Sequence, residues 1–150
     1  MKRIFIVLVL TVFSGAVLAA DNGLIRVKSA HSVSETLDRF EKAVSEKGMT
    51  VFTRIDHTAG ATRVGKSLRP TQLLIFGNPK IGTLLMQSQQ SAAIDLPLKA
   101  LAIQDDKGDV WLLYNDPAWL AARHGITDRD PVVAKMTGAM KAFSKAATQK

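Results

Sequence analysis

Residues 71–85 read TQLLIFGNPKIGTLL, and this stretch decides the fold. It begins with a continuous apolar run, Leu73–Phe76, which is typical of a central β-strand that is covered on both faces. It continues with Asn78-Pro79, which favours a helix start, because proline holds the residue before it in an extended conformation and itself fits the first helical position. The stretch therefore predicts a strand that leads directly into a helix.

Two more pairs of this kind occur further along the chain. Asp116-Pro117 follows a second apolar run, VWLLY at residues 110–114. Asp130-Pro131 precedes apolar residues that recur at helical spacing up to residue 143. Each pair predicts a helix that begins at the proline, with the aspartate as its N-cap.

Shorter signals predict the remaining elements. A hairpin is expected where ALAI at residues 100–103 and the VWLLY run flank the glycine-containing turn DDKGD. Residues 24–28 and 49–55 alternate like strands, and SVSE at residues 32–35 is a capping box that opens a helix between them. A short helix with Asp56 as its cap is predicted after the second strand.

The predicted order of elements is β-α-β-(α)-β-α-β-β-α-α. Helices that are interleaved with an antiparallel hairpin indicate an α+β protein with a mixed, mostly antiparallel sheet and helices packed on one face. We find no linker or low-complexity stretch that divides the chain, so residues 20–150 are predicted to form a single domain.

The first 19 residues have the layout of a secretory signal peptide. A basic start, Lys2-Arg3, precedes an apolar run and a small-residue end, and cleavage after Ala19 fits best. The alternative is an uncleaved membrane anchor, but the run is short of the usual span of about 20 residues. We therefore expect a periplasmic or secreted protein with no stable membrane span after cleavage.

Composition excludes several classes of function. Removal of Lys2 and Arg3 lowers the basic count from 20 to 18 against 13 acidic residues, so the mature chain carries about +5. The basic residues are scattered, which argues against nucleic acid as a partner. The chain has no Cys, which excludes disulfides, thiol catalysis and covalent haem attachment.

Residues 60–67, GATRVGKS, match the P-loop pattern in every letter. A P-loop requires a helix that begins at its Lys-Ser end, and here Pro70 follows too closely for one to form. We therefore interpret this stretch as a helix or loop that happens to contain two glycines.

The strongest binding candidate is the turn that opens the Asn78-Pro79 helix. Lys80 and Thr83 lie in its first turns, and a helix N-terminus favours anions through its exposed N–H groups and dipole. We predict a ligand site formed by Asn78, Lys80 and Thr83, with His57 nearby. The structural alternative is a well-capped turn with no ligand.

Catalytic signals are weak. His57 is a general-base candidate, with Asp56 or Asp95 as its carboxylate partner, although adjacent strand residues point to opposite faces. The three His residues are far apart and show no metal-ligand spacing, so no metal or other cofactor is predicted. Arg123-His124 is interpreted as a basic helix end that compensates the helix dipole.

Several short motifs occur in an order that resembles the DUF302 family, a group of small bacterial and archaeal domains. The motifs are Ile55–His57, Arg69–Thr83, Asp95–Lys99, Tyr114–Pro117 and Arg123–Gly125. The resemblance covers most of the mature chain and is densest over residues 55–126. It implies an α+β domain that is commonly a homodimer, and it supplies no catalytic residues, because the family has no assigned function.

Three functional hypotheses follow. The leading one is a non-enzymatic binding or interaction module for a small anion or metabolite. The second is a hydrolase or isomerase that uses His57 as its general base. The third is a homodimeric structural protein that buries an apolar face against a second copy.

Overall fold

The computed structural model describes residues 22–150, so the predicted signal peptide lies outside the described residues. The described chain forms five strands, five α-helices and one short 3₁₀ helix. In chain order these are β1 (Leu24–Ser29), α1 (Val33–Glu46), β2 (Thr50–Asp56), α2 (His57–Arg63), β3 (Thr71–Gly77), α3 (Pro79–Ser88), the 3₁₀ helix (Gln90–Ile94), β4 (Leu98–Gln104), β5 (Val110–Asn115), α4 (Pro117–His124) and α5 (Asp130–Thr148).

The strands form one sheet in the order β1-β5-β4-β3-β2. Every strand pair in this part of the chain is antiparallel, and the hairpin predicted around residues 105–109 joins β4 to β5. The α+β class is confirmed. The register brings Leu73, Leu101 and Leu113 side by side across the three central strands.

The core lies between the sheet and the long helices α1 and α5. Alternate residues of β3, such as Leu74 and Phe76, point towards these helices and are fully buried. Phe40 of α1 lies at the centre, with ring centroids 5.2 Å from Phe76 and 6.1 Å from Phe143 of α5 in edge-to-face geometry. Helices therefore pack on one face of the sheet, as predicted.

The opposite face, which we call the outer face, remains partly exposed. Leu73 and Leu101 are only half-buried there, and Ile55 of the edge strand β2 is 37% exposed. The expectation that β3 is covered on both faces is therefore wrong for the single chain, in which only its helix-side face is covered. Its outer residues are apolar although α1 and α5 pack on the other side.

Four of the predicted caps are present, and one is not. The side chains of Ser32, Asp56, Asn78 and Asp116 each accept a hydrogen bond from a first-turn N–H group. The prediction of Asp130 as an N-cap is wrong, because α5 already includes this residue, and the carbonyl of Arg129 accepts the N–H groups of Val132 and Val133 instead. The carboxylate of Asp130 lies in the first turn, where its negative charge interacts favourably with the positive end of the helix dipole.

Residues 60–67, which match the P-loop pattern, form the end of a helix and a loop, as predicted. Helix α2 ends at Arg63, and the described chain from there to β3 contains no helix that begins at Lys66 or Ser67.

Candidate functional site

A pocket of ≈ 610 Å³ opens beside the start of α3. Its walls come from the end of α1, the start of β2, α3, the segment before β4, and α5. The apolar side chains dominate, and four methionines contribute to the lining: Met49, Met86, Met136 and Met140. Methionine is flexible and polarizable, so such a wall adapts to apolar ligands of different shapes.

The charged groups of the pocket are basic. Lys47, which follows α1, and Lys135 of α5 both line it and are otherwise exposed to solvent. Among the described residues of the lining there is no Asp or Glu. The pocket therefore combines an apolar interior with positive charge.

The structure divides the predicted anion site at the start of α3. Asn78 and Thr83 line the pocket, whereas Lys80 is exposed and is not part of the lining. The first turn also has few N–H groups to offer. Pro79 has none, the Lys80 N–H donates to Oδ1 of Asn78 (2.9 Å), and the Ile81 N–H donates to the Asn78 carbonyl (3.0 Å). An anion in this region would therefore depend on lysine side chains.

His57 does not lie near Asn78. The two residues follow opposite ends of the antiparallel pair β2 and β3, since Asp56 lies opposite Gln72 and Thr50 lies opposite Gly77. Seven residues of strand at about 3.4 Å each separate them. The expectation that His57 lies close to the start of α3 is therefore wrong.

His57 also has no catalytic partner. Its side chain is exposed and makes no hydrogen bond or ion pair with any described residue. Asp56 instead caps α2 through the Ala59 N–H (2.8 Å) and accepts a hydrogen bond from the Gln72 amide (3.3 Å). The geometry that the His57 hydrolase hypothesis requires is absent from the described residues.

Asp95 has a histidine partner, but that partner is His124. Nε2 of His124 lies 2.6 Å from Oδ2 of Asp95, and Nδ1 lies 3.1 Å from the Ser91 hydroxyl. No sequence pattern pairs residues so far apart, because the contact depends on how the end of α4 packs against the 3₁₀ helix. That helix was not predicted, since QSAAI shows no clear periodicity.

Two other findings bear on the kind of site. Within residues 22–150, no three His, Cys, Asp or Glu side chains come together in a way that could hold a metal ion. None of the helices in the same range is long and apolar enough to cross a membrane.

Comparison with known proteins shows the family. The sequence pattern of a domain of unknown function, DUF302, matches residues 25–143. The chain belongs to the DUF302 family. The resemblance seen in its short motifs is therefore confirmed over most of the chain.

A solved structure has the same fold. It is a crystal structure of an uncharacterized conserved DUF302 protein from Bacillus stearothermophilus, which matches with a TM-score of 0.75 at 17% sequence identity. The match covers 84% of this chain and 98% of that one. At this identity the likeness concerns the fold alone.

Closer sequence relatives are longer proteins from Brucella. A fluoride-specific ion channel FluC 1 of Brucella suis biovar 1 is 51% identical over 120 residues, which are 79% of this chain and 47% of that protein. A fluoride-specific ion channel FluC 2 of Brucella melitensis biotype 1 shows the same identity over 44% of its length. This DUF302 chain thus spans less than half of each relative.

In this DUF302 domain the pocket and the Ser91–His124–Asp95 cluster are separate features. The pocket can bind a ligand with a large apolar part, because it is roomy, apolar and free of carboxylates among its described residues. The cluster can transfer protons, because it contains an imidazole between a hydroxyl and a carboxylate.

Proposed function

We propose that this domain binds a small amphipathic anion, a molecule with an apolar body and a carboxylate or similar head. The observation that carries the proposal is the pocket of ≈ 610 Å³, whose apolar walls include two lysines. The proposal refines the sequence-based hypothesis of an anion site at the start of α3.

The apolar body accounts for most of the binding free energy. Burial of apolar surface contributes about 25 cal/mol per Å², and pockets of several hundred Å³ bury most of a small ligand. Methionine side chains from α3, from α5 and from the residue before β2 would close around it. A ligand with no apolar part would leave these walls in contact with water.

The head group is selected by charge. Lys47 and Lys135 would attract an anion and repel a cation, and the lining includes no described carboxylate that competes for them. The amide of Asn78 and the hydroxyl of Thr83 also line the pocket and supply hydrogen-bonding groups.

The test is calorimetric titration of the purified protein with decanoate, using acetate and decanol as matched ligands. We expect decanoate to bind more tightly than either, because acetate lacks the apolar body and decanol lacks the charge. Lys135→Glu should weaken decanoate binding about tenfold or more, with little change for decanol. Gly82→Leu should block both ligands, since Gly82 lines the pocket and its added side chain would start near Leu96.

Lys80→Glu is the matched control, because Lys80 is exposed on α3 but lies outside the lining. Unchanged binding by this variant is expected. A loss of binding in Lys80→Glu but not in Lys135→Glu would return the site to the helix start predicted from sequence. Absence of decanoate binding to the unmodified protein would overturn the proposal.

A second candidate, a homodimer, is favoured by the outer face of the sheet. An antiparallel sheet with one solvated face normally alternates apolar and polar residues, but β3 and β4 carry apolar residues on both sides. Ile55, Leu73, Leu101 and Leu113 form one row across four strands of the outer face. We propose that a second copy covers this row.

Analytical ultracentrifugation tests the dimer. Leu101→Lys places a charge at the centre of the row and should shift the protein from dimer to monomer. Val64→Lys is the control, because Val64 is 71% exposed and follows α2, outside the strands of the sheet. A monomeric unmodified protein at high concentration would exclude this candidate.

A further inference from the structure

A serine, a histidine and an aspartate form a continuous hydrogen-bond chain between the 3₁₀ helix and α4. The Ser91 hydroxyl lies 3.1 Å from Nδ1 of His124, and Nε2 of the same ring lies 2.6 Å from Oδ2 of Asp95. We call these three residues the serine cluster. They form the hydroxyl–imidazole–carboxylate chain that nucleophilic catalysis uses on unrelated folds, with the roles of the two ring nitrogens exchanged.

The proton positions in the serine cluster follow from the carboxylate. An ionised aspartate can only accept, so Nε2 of His124 must carry the proton that it donates to Asp95. In the neutral ring Nδ1 is then the acceptor, and the Ser91 hydroxyl must donate to it. This is the tautomer in which imidazole can take the proton of a serine that attacks a substrate.

The serine of the cluster is exposed, whereas its histidine and aspartate are largely buried. The His124 side chain is 7% exposed and that of Asp95 is 12% exposed, so the base and its carboxylate are sheltered from water. Ser91 is exposed. The nucleophile is thus accessible to a substrate, while electrostatic interactions behind it act in a less polar environment.

Neighbouring groups hold the carboxylate in place. The guanidinium of Arg123 lies 3.4 Å from Oδ1 of Asp95, the oxygen that His124 does not use. The Asp95 carbonyl accepts a hydrogen bond of 3.1 Å from Lys99, and its N–H donates to the Ala92 carbonyl at 3.1 Å. Asp95 is therefore fixed by both its side chain and its backbone.

We propose that the serine cluster is a hydrolytic site for small esters, with Ser91 as the nucleophile and His124 as the general base. Asp95 is a positioning residue that fixes the tautomer of His124. Ser91, Asp95 and His124 do not line the apolar pocket, so this proposal does not rest on the proposed amphipathic ligand.

The reaction balances without a cofactor. Oγ of Ser91 attacks the ester carbonyl and its proton passes to Nδ1 of His124. The carbon–oxygen bond to the alcohol then breaks, and the leaving oxygen takes that proton from Nδ1. Water, deprotonated by the same nitrogen, cleaves the acyl-serine to release the acid and restore the hydroxyl.

The experiment measures hydrolysis of p-nitrophenyl acetate and covalent labelling by a fluorophosphonate probe, with the labelled residue mapped by mass spectrometry. We expect the probe to label Ser91, and Ser91→Ala to lose both labelling and turnover. This change removes only an exposed hydroxyl, and an unchanged thermal midpoint would show that the fold is intact.

Ser88 is the matched control. Its hydroxyl is hydrogen-bonded to the carboxylate of Asp128, without an imidazole. Ser88→Ala should therefore leave turnover unchanged. Asp95→Asn should lower kcat by about tenfold or more while KM stays the same, when kcat is calculated per active site counted by the probe. A loss of folded protein would lower the number of labelled sites and leave the kcat per site unchanged. No labelling, equal labelling of Ser88 and Ser91, or full turnover by Ser91→Ala would each overturn the proposal.

Discussion

The indole N–H of Trp111 donates a hydrogen bond of 2.7 Å to Oδ2 of Asp105. Oδ1 of the same carboxylate accepts the N–H groups of Lys107 and Asp109, each at 2.9 Å. One ionised side chain therefore holds the turn of the β4–β5 hairpin and links it to the outer face. The hydrogen bond from Trp111, with smaller help from these N–H groups and from Arg26, lowers the pKa of Asp105 below its ordinary value of 3.8.

This pKa predicts an acid-sensitive hairpin. A carboxyl group whose pKa is lower in the folded state stabilises the fold above its ordinary pKa, and that contribution is lost as the pH falls through the folded value. Asp105→Asn should lower the urea midpoint at pH 7, and the difference from the unmodified protein should shrink on acidification below about pH 4. Asp106→Asn, at an exposed position, should show no such difference at pH 7.

Arg54 predicts a stability change on the helix side of the sheet. Its guanidinium donates to Gln72 of β3 (2.7 Å), to the Ser34 carbonyl (3.0 Å) and to Asp38, so it ties β2 and β3 to α1. Arg54→Met should cost about 2 kcal/mol of unfolding free energy, since hydrogen bonds to charged groups contribute more than neutral ones. Arg63→Met, at an exposed position near the end of α2, should change it by less than about 0.5 kcal/mol. Equal effects would contradict the role of Arg54.

Two glycines should respond to alanine in opposite directions. Gly138 lies inside α5, and a Cβ there would meet nothing within 4 Å, so Gly138→Ala should stabilise the protein by about 0.5–1 kcal/mol. Gly23 has φ of +71°, and its added Cβ would overlap the Trp119 ring. Gly23→Ala should therefore lower the thermal midpoint clearly. A thermal midpoint that falls in both variants would contradict the prediction that alanine at position 138 stabilises α5.

Export is tested by the mass of the mature protein. The predicted signal peptide requires that the chain, expressed with its natural start in a Gram-negative host, accumulates in the periplasm and begins at Ala20. Recovery of the full-length chain from the membrane fraction would instead indicate an uncleaved anchor.

Much of the fold could be predicted because its signals are local. The Asn78 and Asp116 caps, the alternation of β2 and the turn at residues 105–109 each depend on a few adjacent residues. The prediction for Asp130 is wrong because an Asp-Pro pair also fits the first two positions of a helix, where Asp130 and Pro131 lie in α5. The 3₁₀ helix was missed because five residues with no apolar period give no signal.

The candidate sites could be predicted only in part, because they depend on packing between distant segments. Asn78 and Thr83 reach the pocket because they belong to the turn that was recognised, whereas Lys47 and Lys135 come from other helices. Asp95 was named as a carboxylate partner, but its histidine was identified only by the packing of α4. The place of His57 at a strand end makes it a candidate, but only the antiparallel pairing of β2 and β3 shows that it lies far from Asn78.

The place of β1 in the sheet constrains how the protein can fold. This first strand of the described chain pairs only with β5. Leu24, for example, lies opposite Asn115, so the hydrogen bonds of β1 form only after β5 is in place. Strands β2 to β5 form a meander between sequence neighbours, whereas β1 closes a loop of most of the domain, and such long-range pairing is slow. During synthesis, therefore, β1 is made before the other described strands but cannot complete its pairing until β5 has been made.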